Sequence, residues 1–188
     1  MQKTMIGKSQ VSASAAVIAG ALVNGRPNYI TLGSFGGMSR NPPTVYISIN
    51  KAHYTNAGIK ENGYFSVNIP SKDLLEKTEY VGRVSGRDTD KSGVFKAFYG
   101  SSTKAPMIEE CPVNILCKLI KTVDLPSNEV FIGEIVETYV TGSCVTDGKP
   151  DMKKINPLVL AGGNYCELGQ PVSTAFTNRT APPSQMPR

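Results

Sequence analysis

Short apolar runs separated by tight-turn residues are the feature that most constrains the fold of this chain. Asn24-Gly25 lies between two such runs, and this pair favours the two positive φ angles of a two-residue β-hairpin turn. The runs on either side, residues 15–23 and 28–32, are therefore predicted to form two antiparallel strands. Because turn residues recur at short intervals and no strand–helix alternation persists, we expect a mainly β, antiparallel barrel with a few short helices.

The rest of the chain contains further elements of the same kind. Val45, Ile47 and Ile49 alternate with polar residues, as is typical of a half-buried strand. Thr55 stands where a helix N-cap would, and Gly63 stands where a C-terminal glycine of that helix would. We predict strands at 44–49, 64–69, 113–123, 129–145 and 158–161, a bulge at Gly133, helices at 71–84 (capped by Ser71) and 91–98, a glycine-rich loop at 33–39 and a hairpin turn at 147–150.

Length and charge restrict the class of protein. The 188 residues suffice for one domain, which we expect to span 1–188 with an extended surface tail at 171–188. The net charge of +5 comes from scattered basic residues, so we expect no nucleic-acid partner.

The run 17–23 after Lys3 and Lys8 resembles a signal peptide, but a turn follows it directly, and we interpret it as a buried first strand. No segment reaches transmembrane length, so we predict a cytoplasmic protein without a membrane partner.

The residues that usually carry hydrolytic or metal chemistry are scarce. The four cysteines form no C-x-x-C pair and His53 is the only histidine, so we expect reduced thiols and no metal. The nucleophile motif G-x-S-x-G, the Walker P-loop and the dinucleotide motif G-x-G-x-x-G are all missing. A chain with so few acid–base groups usually obtains its chemistry from a cofactor, and no catalytic side chain is predicted.

Residues 50–55 form the candidate binding segment. They direct two hydroxyls, one imidazole and several backbone N–H groups at the predicted helix N-terminus, and a helix N-terminus is a favourable place for a phosphate. An ordinary capped helix explains the same residues equally well. The polar turn 85–91 also has two interpretations, because such a charged turn is typical of a solvated surface loop.

Several segments together resemble the flavin reductase-like family, the group that contains the flavoredoxins. The similarity extends from about Val17 to Gly169, and it rests on the order and spacing of the segments. The segments are Asn28-Tyr-Ile-Thr-Leu-Gly-Ser34, Asn41-Pro-Pro with the strand 45–50, His53-Tyr-Thr55 with the helix after it, Ser85-Gly-Arg-Asp-Thr-Asp-Lys91, Ala105-Pro, Glu110-Cys-Pro112, Phe131-Ile-Gly-Glu134, Pro157-Leu, Gly162-Gly-Asn-Tyr165 and Leu168-Gly169. The resemblance implies an FMN-binding split β-barrel, antiparallel and of Greek-key topology.

The family pattern implies where these segments would hold FMN. The ring would be lined by Asn28, Ile30, Thr31, Leu32, Gly33, Ser34, Ser48, Ile49 and Asn50, with Tyr165 as an aromatic neighbour. The phosphate would lie at the helix N-terminus against His53, Tyr54 and Thr55, with Ser85, Gly86, Arg87 and Lys91 reaching the phosphate or the ring edge. Two positions depart from the pattern, because many relatives carry Trp in place of Ser34 and some flavoredoxins carry His in place of Asn128. Both departures concern the substrate side of the flavin.

The resemblance leaves two oxidoreductase functions open. In the first, NADH or NADPH passes a hydride to N5 of bound FMN, and the protein is a flavin reductase that delivers electrons to an acceptor. In the second, the protein is a flavoredoxin-type electron carrier that takes electrons from a redox protein partner. A third alternative, a single-strand nucleic-acid-binding barrel, is disfavoured because the chain has no Trp for base stacking. The resemblance and the long apolar strands 113–123 and 129–145 also imply a homodimer.

Overall fold

The computed structural model describes residues 2–9, 11–173 and 175. Strands dominate this part of the chain, and its helices are short. Most of the predicted tail at 171–188 lies outside the described residues. In chain order the elements are β1 (Ala13–Ala15), β2 (Val17–Val23), β3 (Arg26–Leu32), β4 (Phe35–Arg40), β5 (Pro43–Asn50), α1 (Thr55–Asn62), β6 (Tyr64–Ile69), a 3-10 helix (Lys72–Leu74), α2 (Leu75–Arg83), β7 (Ala97–Phe98), β8 (Met107–Ile108), β9 (Val113–Asp124), β10 (Asn128–Val140), a second 3-10 helix (Gly142–Cys144), β11 (Val145–Thr146), β12 (Lys149–Pro150), α3 (Met152–Ile155), β13 (Leu158–Ala161) and β14 (Asn164–Glu167).

Seven of these strands form one antiparallel sheet in the order β3-β2-β6-β9-β10-β5-β4. The two edge strands, β3 and β4, are consecutive in the chain and are joined only by Gly33 and Ser34. The sheet therefore curls until its edges meet at this junction, which we call the seam. There Ser48 N of β5 donates to Ser34 O at 3.0 Å and extends the pairing of β5 with β4. The mainly antiparallel β fold that the sequence predicts is confirmed.

The strand β2 is buried on both faces. Val17 and Ala19 belong to the core cluster inside the barrel, whereas Ile18 belongs to a second cluster with Tyr29 and with Val81 of α2. A strand that packs on both sides has a continuous apolar sequence. This burial explains why the run resembles a signal peptide.

The helix α1 packs closely on the end of β2. A Cβ atom at Gly58 would overlap the carbonyl oxygen of Leu22, so the approach requires a residue without a side chain. The helix ends at Gly63 as predicted, where φ is 67° and the N–H donates to Ile59 O at 3.0 Å. The close packing fixes where the N-terminus of α1 lies relative to the β2–β3 hairpin.

Local turn chemistry is confirmed at three places. Asn24 and Gly25 have φ angles of 51° and 72°, and Asp147 and Gly148, which close the small β11–β12 hairpin, have 50° and 72°. A register shift of β10 against β9 lies at Gly133, where the bulge was predicted. Each of these features depends on one or two residues, so sequence alone defines it.

Two predicted elements have the wrong type. The glycine-rich loop at 33–39 is mostly the strand β4, because the free edge of β5 supplies hydrogen-bond partners from Phe35 to Arg40. No helix forms at 91–98 in the described structure, where turns lead into β7. Ser92 and Gly93 favour the turn, and Ser92 N donates to Asp90 Oδ1 at 2.9 Å.

Three other elements differ in extent. The first strand breaks at Ala16, whose N–H donates to Leu158 O at 2.9 Å, so β1 leaves the barrel sheet and pairs with β13. The helix predicted at 71–84 starts with a 3-10 helix, and Ser71 makes no side-chain cap hydrogen bond. The strand predicted to reach residue 145 ends at Val140, because the 3-10 helix Gly142–Cys144 interrupts it.

Candidate functional site

A charged cleft lies between the β2–β3 turn, the start of α1 and the turn 85–91. Its volume is about 380 Å³, and its lining joins residues that are up to 68 positions apart in the chain, from Val23 to Lys91. The residues that line it are Val23, Asn24, Arg26, Pro27, Asn28, Tyr54, Gly86, Arg87, Asp88, Thr89, Asp90 and Lys91. The structure thus brings together five of the residues that the sequence predicts for the site: Asn28, Tyr54, Gly86, Arg87 and Lys91.

The N-terminus of α1 carries no side-chain cap, and the prediction that Thr55 is the N-cap is wrong. Tyr54 occupies the cap position in helical conformation without a side-chain cap hydrogen bond, and no acidic residue lies in the first turn. Asn50 instead organises the loop, since its Oδ1 accepts from Ala52 N at 2.9 Å and its carbonyl accepts from His53 N at 3.0 Å. The first N–H groups of α1 therefore lack a capping side chain or carboxylate.

Thr55 is the first residue of α1 and is buried. Its Oγ1 accepts a hydrogen bond from Asn28 Nδ2 at 2.7 Å, between two side chains that are both almost completely inaccessible to solvent. This bond joins β3 to α1 directly beneath the charged cleft. The role of Thr55 is therefore to hold Asn28 in place.

Replacing Thr55 tests this role. We expect Thr55→Ala to lower the free energy of unfolding by about 1–3 kcal/mol, because the buried amide of Asn28 loses its acceptor. Thr55→Ser keeps the hydroxyl and should retain most of the stability. Urea denaturation of the two variants measures the difference, and equal stability of Thr55→Ala and wild type would contradict the assignment.

Gly86 lets the turn 85–91 approach the base of the cleft. A Cβ atom at this residue would overlap Asn28 Oδ1 and would lie 2.9 Å from Tyr54 Cδ1. Tyr54 is itself fixed, because its hydroxyl accepts from Asn24 Nδ2 at 2.9 Å and the Arg87 guanidinium lies 5.7 Å from its ring centroid. The contact therefore needs glycine at position 86.

Lys91 is a buried cation without a carboxylate partner. Only 4% of the residue is exposed, and its Nζ donates to the carbonyls of Val81 at 3.0 Å and Val84 at 3.1 Å, at the end of α2. In the described part of the chain no acidic side chain forms an ion pair with it. Burial lowers the pKa of Lys91 to about 8. The carbonyls at the negative end of α2 stabilise this ammonium, but among the described residues no carboxylate adds a full negative charge, so an anion bound in the cleft would stabilise it further.

The other charges of the cleft are distributed unevenly. Arg26 pairs with Asp90 at 3.1 Å, while Arg87 makes no ion pair among the residues that the structure describes. His53 is exposed beside this group, and partial burial together with the positive charge of Lys91 lowers its pKa. Arg87 and Lys91 thus both line the cleft, and neither pairs with a carboxylate among the described residues.

A second cleft, the seam cleft, lies where β3 passes into β4. It consists of two adjoining pockets of about 350 and 440 Å³ that share Ser12, Ser14, Gly33 and Ser34. The remaining residues that line it are Val11, Ala13, Phe35, Tyr46, Ser48, Leu160, Ala161, Gly162 and Gly163. Gly33, Ser34 and Ser48, three further residues of the predicted site, therefore lie in this cleft.

The other predicted site residues line neither cleft. The side chains of Ile30, Leu32 and Ile49 point into the barrel core, so only their backbone is available to a ligand. The Thr31 hydroxyl donates to the carbonyl of Thr78. Five predicted residues remain. Thr55 accepts from Asn28 beneath the charged cleft, Ser85 Oγ accepts from Arg87 N, Asn50 and His53 form the loop before α1, and Tyr165 lies half-buried in β14.

Several residues that line the clefts are not predicted from the sequence. Asn24 and Arg26 belong to the charged cleft because the hairpin turn folds towards the turn 85–91. Ser12 and Ser14 belong to the seam cleft because β1 pairs with β13 beside the seam, and Tyr46 of β5 lies there opposite Gly36 of β4. No motif marks these positions, since each depends on contacts that are distant in sequence.

The described residues show neither a metal site nor a membrane-spanning helix. Within the described residues, no group of three or more His, Cys, Asp or Glu side chains is arranged to hold a metal ion. The helices of the same residues are too short or too polar to cross a membrane.

Comparisons with known proteins agree with the geometry. The family model of the flavin reductase like domain matches residues 9–169. The fold is similar to flavoredoxin from Methanosarcina acetivorans, which is 39% identical with a TM-score of 0.91 over 95% of this chain and 97% of that chain. Flavoredoxin of Desulfovibrio vulgaris (Miyazaki F) is 30% identical, with a TM-score of 0.88 over 94% of this chain and 99% of that chain.

A relative with a named activity is also similar. The ferric-chelate reductase (NAD(P)H) of Archaeoglobus fulgidus is 28% identical over 109 residues, which cover 55% of this chain and 62% of that protein. The family match covers most of the chain, and the antiparallel barrel is the fold of the similar solved structures. The chain therefore belongs to the flavin reductase-like family.

Proposed function

We propose that the protein binds FMN with its phosphate in the charged cleft and acts as a flavin-dependent oxidoreductase. The observation that carries the proposal is the buried ammonium of Lys91, which has no carboxylate partner in the described structure. A phosphate monoester supplies the missing negative charge. The uncapped N-terminus of α1 and the unpaired Arg87 favour the same ligand.

The residues of the charged cleft fit the phosphate end of FMN. Lys91 would neutralise charge, and Arg87 would add hydrogen bonds from a guanidinium that lies at the cleft surface. Gly86 lets the turn 85–91 pack directly against Asn28 and Tyr54, because no Cβ separates them. Asn28 and Thr55 hold the floor of the cleft through their mutual hydrogen bond.

The strand β3 connects the charged cleft with the seam cleft. Asn28 lies in the first and Gly33 in the second, so the two are separated by roughly 17 Å along an extended strand. We propose that the backbone of residues 30–33 holds the flavin ring and that Ser34 and Ser48 bound it at the seam. When bound, FMN supplies the electron-accepting and electron-donating chemistry, and the chain supplies orientation.

The homodimer that the sequence analysis expects stays a prediction.

Reductase and electron carrier are distinguished by the response of the flavin to nicotinamide. The name of the Archaeoglobus relative favours a reductase, and the names of the more similar solved structures, both flavoredoxins, favour a carrier. We propose the reductase. On anaerobic addition of NADH or NADPH to the FMN-loaded protein, its visible flavin absorption should bleach within seconds. Absorption that persists with both nucleotides but bleaches with dithionite would contradict the reductase and support the carrier.

The affinity for FMN should depend on pH through Lys91. Because burial lowers its pKa to about 8, Lys91 binds its proton more weakly in the flavin-free fold than in the unfolded chain. The free energy of unfolding of the flavin-free protein therefore rises as the pH increases through about 8. A bound phosphate stabilises the protonated form, so FMN binding takes up a proton above this pH.

We expect the affinity for FMN to be about tenfold lower at pH 9 than at pH 7, because about nine-tenths of Lys91 is then neutral in the flavin-free protein. The pKa of His53 is lowered by burial and by the positive charge of Lys91, so this side chain stays neutral over this range. Fluorescence quenching titrations at several pH values measure the dependence. Riboflavin shares the ring but lacks the phosphate, so its affinity should not change, and an equal loss for both ligands would contradict the assignment.

A further inference from the structure

The seam cleft has features that the binding of a phosphate does not explain. Its two pockets lie at the opposite end of β3 from the charged cleft, and they share Ser12, Ser14, Gly33 and Ser34. The cleft is large enough for a second small molecule beside a flavin ring, since ligand pockets generally have volumes of about 300–1,000 Å³. The inference below rests on the proposed function, because it concerns what lies next to the flavin.

The walls of the seam cleft come from separate parts of the chain. The strand β1 pairs with β13, with Ala13 opposite Ala161 and Ser14 opposite Leu160. The turn between β13 and β14 contains Gly162 and Gly163, whose φ angles of 56° and 80° bend the hairpin at the cleft rim. The small sheet β1-β13-β14 therefore stands beside the seam and encloses a space that the barrel alone would leave open.

The polar groups of the seam cleft are all uncharged. Hydroxyl groups come from Ser12, Ser14, Ser34 and Ser48, and Tyr46 adds a fifth together with an aromatic wall that lies against Gly36. None of the described lining residues is acidic or basic, whereas the charged cleft contains three cations. Hydroxyls donate to carbonyl oxygens, but without a cation they do not compensate the desolvation of an anion.

We propose that the seam cleft binds the electron acceptor, and that this acceptor is a small, neutral, planar carbonyl compound of the quinone class. The carbonyl oxygens would accept hydrogen bonds from the serine hydroxyls, and the ring would pack against Tyr46. In the reaction, the quinone gains a hydride from the reduced flavin and one proton from solvent, and it leaves as the hydroquinone. The reduced flavin would lose this electron pair and return to its oxidised form, and NADH or NADPH would reduce it again by supplying the next hydride.

Binding to the oxidised, FMN-loaded protein tests the charge preference independently of turnover. Acetophenone and benzoate share a ring and differ in charge, so they form a matched pair of probes. We expect acetophenone to bind at least about tenfold more tightly than benzoate and to shift the amide NMR signals of Gly33, Gly162 and Gly163. Equal affinities, or shifts confined to other residues, would overturn the proposal.

Two serine variants test the location. Ser12 and Ser9 are both exposed residues of the N-terminal segment, but only Ser12 lines the cleft. Ser12→Phe should fill the cleft and weaken acetophenone binding about tenfold or more, whereas Ser9→Phe should leave it unchanged. Ser12→Phe should also slow reoxidation of the reduced flavin by tetramethyl-p-benzoquinone about tenfold, while ferricyanide, an anion that needs no cleft for electron transfer, reoxidises both variants equally.

The experiments distinguish an absent acceptor site in the seam cleft from an absent flavin site. If FMN does not bind, the proposed function fails, and the acetophenone and benzoate titrations of the flavin-free protein still decide whether the cleft selects a neutral carbonyl compound. If FMN binds and NADH reduces it, but Ser12→Phe reacts with the quinone as fast as wild type does, the seam cleft is not the acceptor site. Bleaching by NADH in both serine variants also confirms that the flavin site is intact.

Discussion

Lys91→Met is expected to lower the affinity for FMN about 100-fold, the largest effect on binding of any single substitution in the charged cleft. The change removes a buried cation, and a hydrogen bond to a charged group contributes about 1.5–3 kcal/mol. Stability of the flavin-free protein should change little, because the two lost hydrogen bonds to Val81 and Val84 are offset by removal of a buried charge. Isothermal titration with FMN measures the affinity.

Two controls give this prediction its specificity. Riboflavin should bind Lys91→Met and wild type equally, because it has no phosphate. Lys96→Met removes a lysine that is exposed and paired with Glu109 outside the cleft, so it should leave FMN binding unchanged. A loss of riboflavin binding equal to the loss of FMN binding in Lys91→Met would place the effect on the fold or the ring, and would contradict the phosphate assignment.

Gly58→Ala is expected to lower the free energy of unfolding by about 3 kcal/mol. This is the largest loss of stability that we expect from any of the proposed substitutions. The added Cβ would overlap the backbone carbonyl oxygen of Leu22 and would lie 2.8 Å from Val23 Cγ2. A backbone atom cannot rotate away as a side chain can, so α1 must move from β2. Alanine is otherwise favoured over glycine inside a helix, which makes a loss of stability diagnostic.

Gly93→Ala is the matched control for this substitution. No atom lies within 4 Å of a Cβ placed at Gly93, and its φ is not in the left-handed region. Its stability should therefore equal that of wild type or exceed it slightly. Thermal and urea denaturation of both variants measure the difference, and an unchanged Gly58→Ala protein would show that α1 does not lie as close to β2 as described.

The elements that sequence predicted well are those that a few adjacent residues determine. The φ angles at Asn24 and Gly25, the left-handed Gly63 and the bulge at Gly133 follow from local chemistry, and all are found. The glycine-rich segment 33–39 depends instead on a partner. Its residues have little strand preference of their own, and only the free edge of β5, which exists once the sheet has formed, makes them a strand.

The sequence indicated some of the residues that line one cleft, but it did not indicate how those residues contact one another. The sequence placed Lys91 and Thr55 beside a phosphate, but the burial of Lys91 against the end of α2 and the bond from Asn28 to Thr55 depend on tertiary packing. Thr55 was expected to cap α1 because threonine does so in many helices, whereas Asn50 orders this loop. The division into a charged and an uncharged cleft follows from where β1 and the β2–β3 turn pack.

The central claim is that a phosphate at the charged cleft holds the flavin, and one measurement tests it most directly. The wild-type protein, freed of flavin, is titrated at pH 7 with FMN and with riboflavin, and the dissociation constants are compared. We expect FMN to bind at least about 100-fold more tightly than riboflavin, since Lys91, Arg87 and the N-terminus of α1 all act on the phosphate. Equal dissociation constants, or no binding of either ligand, would contradict it.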